Sequence, residues 1–96
     1  MYELEFSRAA RNFLRKIKDK NLIAAFDEAF NKIESNPYIG TLKVGDLQGI
    51  YGYDFKYVKI NYEIAYRICE ESNKLVIIIL TGTRENFYDE LKRLIK

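Results

Sequence analysis

The run Leu75-Val-Ile-Ile-Ile-Leu80 constrains this chain more than any other stretch. Apolar without alternation and rich in β-branched side chains, it reads as a strand buried on both faces. Both faces need cover, so the strand belongs at the centre of its sheet and the rest of the chain must supply the layers. The run is far too short to cross a bilayer, and no apolar signal region stands at the N-terminus, so a soluble, cytoplasmic protein is expected. Ninety-six residues, 48% of them hydrophobic and 31% charged, suit one folded domain over residues 1–96 rather than a disordered chain.

The cover is legible on either side of that strand. Residues 2–6 (Tyr-Glu-Leu-Glu-Phe) alternate as a short strand. Ser7 offers an N-cap to a helix over 8–18, whose apolar positions Ala10, Phe13, Leu14 and Ile17 share one face. After the polar break Asp19-Lys20-Asn21, the positions Leu22, Phe26, Ala29, Phe30 and Ile33 predict a second helix over 22–34. It ends at Asn36, because the residue before Pro37 is pushed out of the α region. Residues 38–49 read as loop. Strands follow at 50–57, 62–69 and 75–80, and the spacing of Phe87, Leu91, Leu94 and Ile95 predicts a helix over 85–96. A hairpin turn is expected near residues 58–61, although no glycine pair marks it.

The order β-α-α-β-β-β-α implies an α+β fold, with a helical hairpin on one face of a mostly antiparallel, four-stranded sheet and a short C-terminal helix. Tyr62, Ile64, Tyr66 and Ile68 should meet the helices. Glu63, Ala65 and Arg67 should point from the other face towards water or a ligand.

Residue types exclude much chemistry. The chain has no histidine and one cysteine, Cys69. Histidine-based triads and N/S zinc or haem ligation are therefore closed to it, no intramolecular disulfide forms, and neither metal nor cofactor is expected. The net charge is only +2, but it is unevenly placed. Arg8, Arg11, Arg15, Lys16, Lys18 and Lys20 face only Glu3, Glu5 and Asp19 within the first twenty residues. Arg8, Arg11, Arg15 and Lys18 recur at helical spacing, a stripe that suits a polyanion or simply a solvated face.

Several segments in this order carry a family resemblance: Asn36-Pro37, Gly45-Asp46-Leu47-Gln48-Gly49, Tyr62-Glu63-Ile64-Ala65-Tyr66 and Gly82-Thr83-Arg84-Glu85-Asn86-Phe87-Tyr88. Together with the element order they resemble the RelE/ParE toxins of type II toxin–antitoxin modules along essentially the whole chain. The resemblance to the RelE branch implies a metal-independent endoribonuclease that cuts mRNA on the ribosome by 2′-hydroxyl attack and stops translation. The ParE branch shares the fold but poisons gyrase without cutting RNA, and a third possibility is a catalytically silent member that binds its antitoxin. The implied partners are a cognate antitoxin, the ribosome and mRNA, with operator DNA bound only through the antitoxin complex and no membrane. The terminal 85–96 segment suits displacement by an antitoxin.

By the same resemblance Arg84 falls where a catalytic arginine or histidine clamps the scissile phosphate, and Tyr88 where a tyrosine stacks on or orients RNA. Lys56 occupies the position of an active-site lysine. Glu85 neighbours Arg84 as a base or a partner. Lys43, Lys59 and Arg67 would extend a basic floor for phosphates, joined by the Arg8, Arg11, Arg15 and Lys18 stripe. Each of these charges also reads as ordinary solvated surface. Two positions depart from the pattern: Asp54 and Glu63 stand where many members carry cations. Either Glu63 or Asp54 serves as the base, or nuclease activity is weak or absent.

Overall fold

A computed structural model describes residues 1–95. Strand β1 (Glu3–Phe6) leads through Ser7 into helix α1 (Arg8–Arg15). The Ser7 hydroxyl accepts from the Ala10 N–H at 3.0 Å and donates to the Ile79 carbonyl at 2.5 Å, so one side chain caps the helix and ties it to the sheet. The helix stops at Arg15, earlier than the apolar period suggests, which leaves Lys18 in the connection. Asp19 caps helix α2 (Lys20–Ser35) by accepting from the Asn21 and Leu22 N–H groups. Its other oxygen accepts from the Tyr57 hydroxyl at 2.9 Å.

Residues 38–49 are more ordered than a loop. A single helical turn at Pro37–Ile39 precedes strand β2 (Thr41–Leu42), and a second turn at Gly45–Leu47 precedes strand β3 (Tyr51–Tyr57). Strands β4 (Ile60–Cys69) and β5 (Leu75–Thr83) and helix α3 (Phe87–Leu94) complete the described chain. The expected helix over 85–96 thus begins two residues late, and Lys96 lies outside the described residues. The sheet has five strands in the order β1-β5-β4-β3-β2, not four, because the two-residue β2 adds an antiparallel edge. β1 pairs parallel with β5, and the other pairings are antiparallel. The β3–β4 hairpin turns on Val58 and Lys59, both with positive φ (46° and 68°).

Each face of this sheet is covered. On one, α1 and α2 enclose an aromatic core centred on Phe26, whose ring lies 4.9 Å from Phe55, 5.6 Å from Tyr62 and 5.9 Å from Phe30. On the other, α3 closes a smaller cluster of Leu47, Ile50, Ala65, Leu80, Phe87 and Leu91. A bulge between the two sets the division: Ala65 pairs with Leu80 but Tyr66 with Ile78, so Ile79 is an extra residue on β5. Val76 and Ile78 therefore face the hairpin, while Leu80 faces α3. Thr81 then turns back and donates from its hydroxyl to the Ala10 carbonyl at 3.2 Å.

The second cover corrects one expectation. Tyr62, Ile64, Tyr66 and Ile68 do meet the helical hairpin, but Glu63 and Ala65 are buried rather than open to water. Of that trio only Arg67 is exposed. No described helix is long and apolar enough to cross a membrane.

Candidate functional site

The α3 side of the sheet places its residues in rows. Asp54, Glu63 and Gly82 stand side by side on β3, β4 and β5, with Lys56 beside Asn61 in the next row and Gly52 beside Ala65 in the one before. Gly82 has no side chain, and the Phe87 ring closes over it, 3.5 Å from where a Cβ would stand. Arg84 follows as β5 ends, its N–H donating to the Asn61 carbonyl at 3.0 Å. Asn86, left-handed at φ 58°, then reverses the chain into α3. Arg84 and Tyr88 thereby arrive from opposite sides of one tight reversal onto the same carboxylate.

That carboxylate is Glu63, whose side chain is only 5% exposed. Its Oε2 accepts from Arg84 Nε at 3.0 Å and its Oε1 from the Tyr88 hydroxyl at 3.0 Å. Arg84 Nη2 lies 3.4 Å from Asp54 Oδ2, and both of those side chains are more than half exposed. The ammonium of Lys43 sits 5.1 Å from the centroid of the Tyr88 ring. The bond to Glu63, more than the Asp54 charge, raises the already high pKa of Arg84. Burial raises the Tyr88 phenol, a contact from Lys43 lowers it, and the Glu63 charge and hydrogen bond raise it further.

The cluster thus joins Arg84, Tyr88, Glu63 and Lys43, with Asp54 as the fifth member. Lys56 is exposed in the row beyond and lines a shallow cleft against α2 with Glu28, Lys32, Tyr53 and Phe55. Arg67 projects from the same face near Gly49. Lys59 lies in the hairpin turn. Glu85 is separated from Arg84's contacts; it lines a cleft on the α1 side with Asn12, Phe13 and Lys16. Arg8, Arg11 and Arg15 border a groove floored by Phe6 and Leu14, and none of them bonds to the Arg84 cluster among the described residues. Lys18 is exposed between α1 and α2.

Gly52 is the position that the sequence reading passed over. A Cβ there would stand 2.7 Å from Lys43 Cε and 3.4 Å from the Tyr88 hydroxyl, so its bareness admits both side chains. A glycine inside an otherwise aromatic strand was the available signal. Among the described residues no three His, Cys, Asp or Glu side chains are grouped as metal donors.

Chemically, the site offers a guanidinium with fixed orientation, a phenol whose proton is directed at a buried carboxylate, and a rim of lysine and arginine. Lys43, Lys56, Arg67 and Arg84 stand here against Asp54, Glu63 and Asp89, the last lining one cleft with Arg84 and Tyr88, an excess of one cation. An anion with several oxygens suits it.

The fold is shared with solved toxins. The toxin–antitoxin complex RelBE2 from Mycobacterium tuberculosis contains a chain 27% identical, with a TM-score of 0.72 over 86% of this chain and 98% of that one. The intact RelBE complex of E. coli matches at 21% identity and a TM-score of 0.68, covering 85% and 95%. A mutant of E. coli RelE in the free state matches at 20% and 0.71, covering 96% of each chain. No curated protein is significantly similar. Residues 4–92 match the family model described as ParE-like toxin of type II bacterial toxin-antitoxin system. With nearly the whole chain inside that match, this protein belongs to the ParE-like toxin family of type II toxin–antitoxin systems.

Proposed function

We propose that this toxin stops translation by cutting ribosome-bound mRNA at the Arg84–Glu63–Tyr88 cluster, and that residues 1–96 act as one toxin domain in the cytoplasm. The single observation that carries this reading is the convergence of Arg84 and Tyr88 on one buried carboxylate within a cationic face. In such a cleavage the 2′-oxygen attacks the adjacent phosphorus as the bond from phosphorus to the 5′-oxygen breaks. The 2′-hydroxyl gives up a proton and the leaving oxygen takes one, so a cyclic phosphate and a 5′-hydroxyl result. Arg84 supplies positive charge to the crowded phosphate. Lys43, Lys56 and Arg67 hold the flanking phosphates. Both oxygens of Glu63 are occupied, so Asp54, exposed and only weakly engaged, is the better-placed base of the two departures. A cognate antitoxin keeps the toxin silent; the resolved RelBE2 and RelBE assemblies, both toxin–antitoxin complexes, support this partnership.

A second reading has its own observation. Arg84 is flanked by two carboxylates, which offsets its pull on an incoming phosphate and suits a toxin that binds its target, such as gyrase, without cutting RNA. Pulse labelling after induction without antitoxin separates the two. Loss of amino-acid incorporation first, with new mRNA 5′ ends on purified ribosomes, is expected. Early loss of DNA synthesis with translation intact would replace the nuclease reading by the second.

A further inference from the structure

Glu63 occupies an unusual position for a carboxylate. Its side chain is 5% exposed and faces the sheet's smaller core, and yet no buried side-chain nitrogen or oxygen among the described residues lacks a partner. Burying a carboxylate this deeply is costly unless charged or hydrogen-bonding groups compensate it. Here the compensation comes from two residues only, and each takes a different oxygen: Arg84 Nε takes Oε2 and the Tyr88 hydroxyl takes Oε1, both at 3.0 Å.

We propose that Glu63 is the positioning residue of this site, the group that fixes Arg84 and Tyr88 to each other. The proposal rests on the cleavage reading above for what the pair acts upon. Its geometric content is separate. Arg84 leaves a strand end and its side chain is 58% exposed, so without an anchor it would sample many rotamers. Holding Nε leaves the terminal nitrogens outside the anchor: Nη2 faces the exposed Asp54 at 3.4 Å, a loose contact that a phosphate oxygen can replace. The Tyr88 hydroxyl donates inwards, so only its lone pairs are presented outwards, towards Lys43 or a substrate donor. One buried carboxylate therefore sets both the direction of a cation and the polarity of a phenol. Such preorganisation lowers the reorganisation needed at the reacting centre.

The test uses the whole chain with Glu63→Gln, which keeps size and one acceptor but loses charge, and with Glu63→Asp as the conservative rescue. Two readouts require no activity. In ¹⁵N relaxation, the Arg84 Nε–H should be as ordered as the backbone in the wild type and become mobile in Glu63→Gln. Tyr88, followed by selectively ¹³C-labelled tyrosine, should titrate lower once the Glu63 charge is gone. The third readout is cleavage of ribosome-bound mRNA: kcat should fall about 10- to 100-fold, with KM within about 3-fold, and Glu63→Asp should recover part of the loss. A melting curve, with Tyr88→Phe as a second variant for the NMR readout of Arg84, covers a fold loss in Glu63→Gln. An ordered Arg84 and an unmoved Tyr88 titration in folded Glu63→Gln overturn the proposal. Absence of cleavage in the wild type overturns the nuclease reading alone, since the two spectroscopic readouts still decide the role of Glu63.

Discussion

The two faces of the sheet are built from opposite materials. Against α1 and α2 lies a core of interlocking aromatic rings, with Phe26 touching four of them. Against α3 lies a smaller apolar cluster that gives way, within one row of residues, to Glu63, Arg84, Tyr88 and Lys43. The first face holds the fold. The second spends its burial on fixing charged groups, and its cover is a helix of only eight residues over a small apolar cluster, the kind of element that opens locally before the rest. The main core and the proposed site are thus divided by the thickness of one sheet.

The two faces should respond most differently when each loses one large side chain. Phe26→Ala should cost about 3–5 kcal/mol and most of the molecule's stability, lowering the melting temperature across every probe. Leu91→Ala, equally buried, should cost about 2–3 kcal/mol, since a short helix can relax around the gap. Its signature should be lost amide protection in 87–94, read by hydrogen exchange, with β3 to β5 still protected. Equal, global loss of protection in both variants would erase the distinction.

A second, smaller effect lies in the hairpin turn. Val58 and Lys59 hold positive φ without glycine or asparagine, and for a β-branched side chain that conformation is strained by about 1–2 kcal/mol. Asn at 58 with Gly at 59 should raise stability by about 1 kcal/mol in urea titration, with the site unchanged. Val58 is 73% exposed, so little packing is lost.

The smallest effect expected concerns acid. Glu70 accepts hydroxyl bonds from Tyr38 and, at 2.7 Å, from Tyr2, and these bonds hold its carboxyl below the usual value. A depressed folded value means that its contribution is present above the unfolded value of 4.5 and fades as pH falls through the folded one. Glu70→Gln should flatten the acid limb of the stability curve slightly, measured by melting between about pH 5 and pH 2. An unchanged limb would assign the cluster no role.

Much of the first face was legible in the residues. The periodicity of Phe26, Ala29, Phe30 and Ile33, the stop at Pro37 and the apolar 75–80 run each follow from local physics. The second face was not, for physical reasons. The bulge at Ile79 depends on register between β4 and β5, and no local signal marks it. Alternation along β4 does place Glu63 and Ala65 on the outer face, but nothing local says that α3 folds back over that face and buries both. Strand β2 is too short to show a period. Arg84 and Tyr88 are four residues apart, so their proximity was readable; that Glu63, 21 residues earlier, joins them required the fold. Glu85 shows the converse, a sequence neighbour of Arg84 that the strand's end turns towards α1.

Arg84, held by Glu63, is the cation proposed to act. Arg84→Ala leaves the buried Glu63 carboxylate with the Tyr88 hydroxyl alone, so the melting temperature should fall by several degrees, and cleavage and antitoxin binding are compared at a temperature where both proteins are folded. Cleavage of ribosome-bound mRNA by this variant should fall about 100-fold or more, and Arg84→Lys should recover only part, because lysine keeps the charge but loses the planar fork. Full cleavage and full growth arrest by a folded Arg84→Ala protein would take Arg84 out of the chemistry.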